Sequence, residues 1–370
     1  MARLLNDAGH RVILADTPER PISAASVACA AHEILPPPRF EFDAYADAVT
    51  EVIRNYDVDR VVPTCEEVFY LAQVWRKRTI GASLFAPDIN RLTEVHDKHA
   101  FIRLTESLGL AVPETVLLRT RDDLAAILNR SAEFVFKPVW SRFANDVRIR
   151  PNPRSLHALK PTPCYPWIAQ GFIDGEEVSA YAIASAGTVK ALAVYRSLYR
   201  AGRGAGVCFE RISDHTVRRF VEAFIAGTAW SGQIAFDFMR EANGRIMPLE
   251  CNPRATSGLH FFSDPKAFSG IIISDRPAVE PDVEGVQGVP LALWVYGLPD
   301  AVRAGQLRSF LKVSRRMRNI LDWPGDSGPR LAQWRALAEI AKLAVRHRIG
   351  LRAASTRDIE WNGPDQSSTV

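Results

Sequence analysis

Apolar runs and amphipathic segments alternate along the N-terminal quarter of the chain. Residues 2–9 have helical spacing and end at a glycine, which favours a helix C-terminus. Residues 11–16 form a short apolar run typical of a buried parallel strand, and the helix Phe42–Tyr56 precedes the strand Arg60–Pro63. This alternation predicts a small doubly wound, Rossmann-like α/β domain over residues 1–92. Because the chain opens in a helix, this domain is expected to lack its first strand, which a misplaced start codon or a truncated chain would explain.

The central part of the chain changes to a period of two. Residues 166–196 alternate apolar and polar side chains, with glycines at turn positions, and therefore predict antiparallel strands. Helices are predicted on either side of them, over residues 97–109 and 214–230. Together these patterns indicate an α+β domain with mixed sheets over residues 93–274.

The C-terminal part is patterned more weakly. Residues 275–285 are rich in proline and acidic side chains, which suggests a linker or a surface crossing. Helical spacing returns over residues 331–347, and the last ten residues are polar and expected to be disordered. Residues 275–370 are therefore predicted to form a C-terminal extension with a helix over residues 331–347 and a polar tail.

Composition narrows the class of protein. The chain of 370 residues is 47% hydrophobic and 24% charged, which is ordinary for a globular protein of two or three domains. Its net charge is +4, and its basic residues are dispersed apart from one cluster at residues 315–318. Nucleic-acid binding is therefore not expected. The five cysteines lack metal spacing and suit a reducing, cytoplasmic setting. No apolar run reaches the roughly 18 residues that cross a bilayer, so no membrane partner is expected.

The most informative segment is the predicted β-hairpin that ends at Arg254. Asn243-Gly244 favours a two-residue type I′ turn, because both residues tolerate positive φ. Counting outward from that turn predicts the cross-strand pairs Ala242 with Arg245, Met239 with Pro248, and Asp237 with Glu250. Since proline cannot donate to a ladder, Pro248 predicts a sheet edge or a bulge on the outer side of its strand.

Two carboxylates face each other in this register. The count makes Asp237 and Glu250 a non-hydrogen-bonded pair, whose Cα atoms are about 4.5 Å apart. Like charges at that distance destabilise a sheet, so a divalent metal carrying a nucleotide phosphate is the natural partner. Asn252 lies on the same face and would add a third oxygen ligand, and Arg254 follows with a cation. The alternative is an exposed hairpin whose carboxylates extend into water.

Two lysines precede the hairpin. Lys98 is in the first turn of its predicted helix, where its charge opposes the helix dipole unless an anion docks there. Lys137 interrupts an apolar run, Phe134–Pro138, and needs a partner if it is buried. Each lysine has an alternative interpretation. Lys98 would be a solvated surface residue, and the side chain of Lys137 would extend to the surface at a strand end.

In chain order these features resemble the ATP-grasp superfamily, from about residue 10 to residue 265. The element Glu250–Arg254 is the most specific part, and Pro63–Glu67 resembles the α/β domain that precedes such folds, as in the carbamoyl-phosphate synthase large subunit. The resemblance implies a two-subdomain ATP-grasp fold with a hinge near residues 168–175. It also implies ATP and Mg²⁺, or Mn²⁺, as cofactors.

The resemblance assigns roles to individual residues. It implies that the nucleotide is bound by Lys98, Lys137, the hinge residues Gln170, Phe172 and Ile173, the ribose carboxylate Glu177, and Arg254. It implies that the metal is held by Asp237, Glu250 and Asn252.

The chain departs from the family at its flap. Many relatives cover the phosphates with a glycine-rich loop after the second lysine, whereas residues 139–145 contain no glycine. Either Arg142 supplies the missing donors, or the flap closes loosely and turnover is poor. A second loop, Arg200–Gly206, is glycine-rich and basic; it would close on the phosphates or the acceptor, or be a plain hairpin loop. His260 is expected to line the acceptor site or to be structural, and Arg196 is a candidate for binding a substrate carboxylate.

The implied reaction is an ATP-dependent carboxylate–amine ligation of the amino-acid or peptide type, through an acylphosphate. Its candidate catalytic residues are Arg254, Lys137, Arg142 and His260, its partners are a small carboxylate and a small amine, and a homodimer is compatible with the family. Two alternatives stay open: carboxyphosphate chemistry like that of carbamoyl-phosphate synthase, and a catalytically weak nucleotide-binding or regulatory protein. A dehydrogenase is disfavoured, because no G-x-G-x-x-G follows a strand.

Overall fold

The computed structural model describes residues 1–141, 146–202, 204 and 206–364. Arg142, which the sequence assigns to the flap, lies outside these residues, as do Arg203 and Ala205 of the second loop. Among the described residues, no helix has the length and apolar character needed to cross a bilayer.

Helices and parallel strands alternate in the N-terminal domain, as the sequence predicts. Within the part of the chain that the structure describes, β1 pairs only with β2 and β3 only with β4, so the strands form two separate parallel pairs rather than one sheet. A cavity of about 940 Å³ is lined by residues of both β1 and β3 and by the apolar side of the long helix α2. The elements are α1 (Ala2–Asp7), β1 (Ile13–Asp16), β2 (Ala31–Ile34), α2 (Phe42–Tyr56), β3 (Arg60–Val61), α3 (Glu67–Lys77) and β4 (Ser83–Leu84).

A four-stranded antiparallel sheet with flanking helices follows. Its strand order is β5-β8-β6-β7. The elements are α4 (Ile89–His96), α5 (Lys98–Ser107), β5 (Thr115–Leu118), α6 (Arg121–Ile127), β6 (Phe134–Pro138), β7 (Arg148–Ile149), α7 (Pro153–Leu156) and β8 (Trp167–Gly171). Asp97 caps α5, because its carboxylate accepts hydrogen bonds from the amides of His99 and Ala100.

A seven-stranded sheet forms the centre of the molecule, in the order β13-β12-β9-β10-β11-β14-β15. Two of its strands come from the predicted C-terminal extension. The elements are β9 (Glu176–Ser185), β10 (Thr188–Arg200), β11 (Gly206–Arg211), α8 (His215–Thr228), β12 (Gly232–Arg240), β13 (Ile246–Asn252), α9 (Pro265–Ile273), β14 (Val286–Gly288), α10 (Pro290–Ala292), α11 (Leu298–Arg303), α12 (Leu307–Arg316), β15 (Arg318–Asn319), α13 (Gly328–His347) and α14 (Leu351–Ala354).

The central sheet is apolar on both faces, and successive side chains along its strands face two different hydrophobic cores in turn. On β9, Ala180 and Ala182 face the core that α5 and α8 cover, whereas Tyr181 and Ile183 face the core beneath α9 and residues 257–261. On β12, Phe236 and Phe238 belong to the first core and Ala235 to the second. Asp237 therefore projects from the second face, where the apolar lining gives way to charge.

The hairpin between β12 and β13 corrects the predicted turn. Of its turn residues only Gly244 has positive φ, at 84°, and the Gly244 amide donates to the Glu241 carbonyl. The turn is therefore one residue longer than a type I′ turn, and Phe238, not Met239, pairs with Pro248. A bulge at Leu249 offsets this shift, so that Asp237 lies opposite Glu250 as predicted. β13 is also an edge strand of the sheet, which agrees with the sheet edge or bulge that Pro248 predicted.

The polar tail does not behave as predicted over its first residues. Trp361 is buried, with 3% of its surface exposed, because its indole stacks on Phe69. The expectation of disorder is therefore wrong for the described part of the tail, and residues 365–370 lie outside the described residues.

Candidate active site

Charged side chains from five elements meet at the edge strand β13. Lys98 begins α5, Lys137 lies on β6, and Glu177 and Ser179 lie on β9. Asp237 comes from β12, and β13 itself contributes Glu250 and Asn252. The structure therefore brings together the lysines and the acidic hairpin that the sequence singled out separately.

The carboxylate pair is held by short polar contacts. The Ser179 hydroxyl donates to Asp237 Oδ1 at 2.6 Å, and Asn252 Nδ2 lies 3.4 Å from Asp237 Oδ2. Ser179 pairs with Asp237 across β9 and β12, so the same strand register that sets the carboxylates also sets this donor. Sequence reasoning missed Ser179, although its position two residues after Glu177 on one strand face was a usable signal.

Both lysines are buried. Lys98 is 3% exposed; its Nζ lies 3.4 Å from Glu250 Oε2 and donates to the Ser141 and Val139 carbonyls at 2.7 and 3.3 Å. Lys137 is 7% exposed and donates to the Leu249 carbonyl at 3.1 Å. Leu249 is the bulged residue, so the bulge that restores the register also supplies an acceptor for Lys137. These contacts exclude a solvated Lys98 and a Lys137 that extends into water.

The two facing carboxyl groups have opposite pKa shifts. Burial raises the pKa of Asp237, and the charges of Glu250 and Glu177 raise it further. Burial also acts to raise the pKa of Glu250, but Lys98 and Lys137 overcome this effect and hold that pKa below its usual range. Burial lowers the pKa of Lys137 to about 8, and Lys98 adds to the decrease. Lys137 also interacts with Asp237, so the two carboxyl groups share this lysine as a source of compensating charge.

Arg254 approaches the group from the far side of Asn252. Its guanidinium donates to Asn252 Oδ1 at 3.3 Å, and its Nε lies 3.9 Å from Glu66 Oε1. Glu66 is 1% exposed and follows β3, in the N-terminal domain. Glu66 belongs to the element Pro63–Glu67 that carries part of the family resemblance, but the sequence gives no sign that it would face Arg254, which is 188 residues away in the chain by subtraction of 66 from 254.

The predicted hinge lies at the end of β8. Gln170 is buried, and the amide of Phe172 donates to the Glu133 carbonyl at 2.8 Å. Ile173 follows in the irregular segment between β8 and β9. Glu177, the predicted ribose ligand, pairs with Arg200 at 2.6 Å, a partner that sequence reasoning did not name.

Two predicted residues have other surroundings. Arg196 forms ion pairs with Glu176 at 2.9 Å and with Glu210 at 3.0 Å. These contacts do not support the prediction that Arg196 binds a substrate carboxylate. His260 stacks on Phe209 and lines a largely apolar cavity of about 800 Å³ between the N-terminal segment and α13. Its predicted role at the acceptor site stays a prediction.

Replacing His260 with phenylalanine is expected to make the protein's stability less sensitive to acid. Burial lowers the pKa of His260 to about 3, and the N-terminal amino group and Arg3 act in the same direction. The unfolded chain binds this proton near pH 6.5, so the free energy of unfolding falls as the pH falls from about 6.5 towards 3. Urea unfolding at pH 7 and at pH 4.5 measures how far the free energy of unfolding falls between these pH values. This decrease should be about 2 kcal/mol smaller in His260→Phe than in the native protein. Phenylalanine keeps the stacking on Phe209, and equal losses in the two proteins would contradict the expectation.

The donor set at the hairpin suits a hard cation. Among the described residues, no group of three or more His, Cys, Asp or Glu side chains is arranged to hold a metal. The candidate ligands are two carboxylates and one amide, which offer oxygen atoms of the kind that Mg²⁺ prefers. Burial is the main reason why the pKa of Asp237 is raised, and a divalent cation between Asp237 and Glu250 would relieve the repulsion by Glu250 that adds to it.

Comparison with known proteins identifies the central part of the chain. Residues 95–258 match a family described as an ATP-grasp domain. No curated protein sequence gives a significant match to the chain.

Solved structures of the same fold cover most of the chain at low identity. An ADP complex of N5-carboxyaminoimidazole ribonucleotide synthetase is 16% identical, covers 77% of each chain and has a TM-score of 0.59. The Thermotoga maritima enzyme of that name is 16% identical over 76% of this chain and 74% of its own, with a TM-score of 0.56. The biotin carboxylase domain of Hydrogenobacter thermophilus 2-oxoglutarate carboxylase, solved with MgADP and bicarbonate, is 11% identical over 77% and 69%, with a TM-score of 0.59. At these identities the likeness shows the fold alone.

Proposed function

We propose, because the chain carries an ATP-grasp domain over residues 95–258, that it is an ATP- and Mg²⁺-dependent ligase. It joins a small carboxylate to a small amine through an acylphosphate and releases ADP and phosphate. The observation that carries this proposal is the facing pair Asp237 and Glu250, together with two buried lysines: Lys98, which contacts Glu250, and Lys137, whose charge also acts on Glu250.

Asp237, Glu250 and Asn252 would hold the magnesium ion. When bound, the ion neutralises charge on the terminal phosphates of ATP and keeps them in line for transfer. In the structure the Asn252 oxygen accepts from Arg254 and its nitrogen faces Asp237, so ligation through oxygen requires the amide to turn over. Ser179 would keep Asp237 oriented, since its hydroxyl donates to the oxygen that faces β9.

The cations around the hairpin would stabilise the transferred phosphoryl group. Lys98, Lys137 and Arg254 lie close to the two carboxylates and bring fixed positive charge to a largely buried site. Fixed charge is most effective where charge spreads over phosphate oxygens and little water remains. Lys98 and Lys137 already donate to backbone carbonyls, so their ammonium groups are oriented before substrate arrives.

The chemistry after phosphoryl transfer needs little from the protein. The substrate carboxylate attacks the γ-phosphorus of ATP, ADP leaves, and the acylphosphate forms. The amine lone pair then attacks the acyl carbon, the carbon–oxygen bond to phosphate breaks, and the departing phosphate takes the electron pair. An amine that arrives neutral loses its proton to phosphate or solvent, so no protein base is required.

The proposal is tested by Mg²⁺-dependent ADP release with a panel of amines and carboxylates, including amino acids in pairs. ADP release that requires both an amine and a carboxylate, with an amide product seen by mass spectrometry, supports ligation. ADP release with bicarbonate alone would indicate carboxyphosphate chemistry instead. Tight binding of ATP with no ADP from any mixture would overturn the ligase proposal and favour a nucleotide-binding protein.

A further inference from the structure

The last described segment, residues 357–364, packs against the N-terminal domain beside the candidate site. We call residues 357–364 the C-terminal strap. The Asp358 carbonyl accepts from the amide of Arg39 at 3.0 Å, and the Glu360 carbonyl accepts from the Tyr70 hydroxyl at 2.8 Å. Tyr70 lies on α3, so the strap is tied to the helix that follows Glu66.

Trp361 is the main apolar anchor of the strap. Its ring stacks on Phe69 with centroids 5.3 Å apart and planes 10° apart, and it meets Tyr70 edge-on at 5.2 Å. Among the described residues, its indole Nε1 has no hydrogen-bond partner. Stacking therefore fixes the position of this residue, and a phenylalanine should be able to replace most of its contacts.

The backbone of Trp361 reaches the site through Glu66. The Trp361 amide donates to Glu66 Oε2 at 3.1 Å, while Glu66 Oε1 lies 3.9 Å from Arg254 Nε. One carboxylate thus joins an amide of the strap to the arginine beside the metal ligands. Glu66 and Trp361 are 1% and 3% exposed, so this connection is shielded from water, which strengthens the interaction of Glu66 with Arg254.

The strap also contacts the start of the flap region. Gly363 has φ of +97°, and a Cβ there would lie 2.8 Å from Nε1 of the Trp140 ring. Trp140 follows Val139, whose carbonyl accepts from Lys98. The strap therefore packs against neighbours of both Arg254 and Lys98.

We propose that Trp361 is a positioning residue for nucleotide binding: through Glu66 it holds Arg254 in the orientation that meets the phosphates. The strap carries out this role from outside the ATP-grasp domain. The inference rests on the proposed nucleotide site, and it assigns a function to a segment whose composition predicts none.

The test compares binding of a polyphosphate with binding of a nucleoside. The probes are the magnesium complex of the non-hydrolysable ATP analogue with a β,γ-imido bridge, and adenosine. Trp361→Ala is expected to weaken binding of the analogue about tenfold, the scale of one lost charge-assisted hydrogen bond, and to leave adenosine binding unchanged. Trp361→Phe should restore most of the affinity for the analogue. A general structural defect would weaken both probes.

Two glycines provide a matched pair within the C-terminal extension. Gly363→Ala places a methyl group against Trp140 at a backbone angle that alanine disfavours, and should weaken binding of the analogue as Trp361→Ala does. Gly350→Ala adds the same methyl group where no atom lies within 4 Å, and should bind both probes as the native protein does. This pair keeps the proposal testable if Trp361→Ala fails to fold.

A double-mutant cycle tests whether Glu66 carries the effect. If Trp361 acts through Glu66, then Glu66→Gln combined with Trp361→Ala should weaken analogue binding no more than Glu66→Gln alone. Full additivity, or equal losses for the analogue and adenosine, would overturn the positioning role. These are binding measurements, so absence of any ligase product would count against the proposed reaction and not against the strap.

Discussion

Replacing Asp237 with asparagine is expected to lower kcat for magnesium-dependent ATP turnover roughly 10³-fold, because it removes one of the two charges that hold the metal. In the metal-free protein the same change should not lower the free energy of unfolding. It removes one of two like charges that face each other across β12 and β13, and asparagine keeps an oxygen that accepts from Ser179. Activity and metal-free stability should therefore change independently.

Thermal unfolding with and without MgADP measures both effects. At one fixed concentration, MgADP should raise the Tm of the native protein clearly and that of Asp237→Asn much less, because stabilisation by a ligand grows with the logarithm of the ratio of ligand concentration to Kd. Glu106→Gln is the matched control: it neutralises an exposed carboxylate on α5 that pairs only with Arg103 among its described ion pairs. If MgADP stabilised the native protein and Asp237→Asn equally, Asp237 would not be a metal ligand.

The hairpin shows how a local pattern predicts a site. Asn243-Gly244 marked the turn, and counting outward placed Asp237 opposite Glu250, as the structure confirms. Two errors in that count offset each other: the turn is one residue longer than predicted, and Leu249 adds a bulge. The carbonyl of the bulged Leu249 accepts from the ammonium group of Lys137, and that contact joins residues far apart in sequence. No local rule contains it.

Periodicity also located several of the helices, because each of these buries one face. The predicted helix Phe42–Tyr56 has the bounds found in the structure, and Asp97 caps α5 as its residue type indicates. These features are set within a few residues of the chain. The family resemblance, drawn from spaced motifs, correctly indicated the ATP-grasp domain, which matches over residues 95–258.

The sequence alone could not predict contacts between residues that lie far apart in the chain. Glu66 meets Trp361, 295 residues later, and Trp361 belongs to a tail whose polar composition indicates disorder. Arg200 meets Glu177 only because β9 and β10 pair in one register. In each case the partner is chosen by the tertiary fold, and a single sequence does not reveal which of many charged or aromatic residues will be adjacent.

The core beneath the site is expected to carry the largest share of stability. Phe236 is fully buried on β12, next to Asp237, and its ring lies 5.1 Å from that of Phe224 and 6.0 Å from that of Phe220. Phe236→Ala removes these contacts and leaves a cavity that the surrounding aromatic rings cannot fill, so it should lower the free energy of unfolding by about 3–5 kcal/mol. Leu331→Ala, at a position 71% exposed on α13, should cost less than about 0.5 kcal/mol.

Urea unfolding followed by tryptophan fluorescence provides the comparison. Trp230 packs in the same core and reports on it directly. Because β12 carries Phe236 and Asp237 on opposite faces, a variant that still folds should also bind the magnesium complex of the ATP analogue more weakly, since the strand is less firmly held. A loss of less than about 1 kcal/mol in Phe236→Ala would mean that the aromatic cluster can close over the cavity, and that the strand bearing the carboxylate is positioned by hydrogen bonding alone.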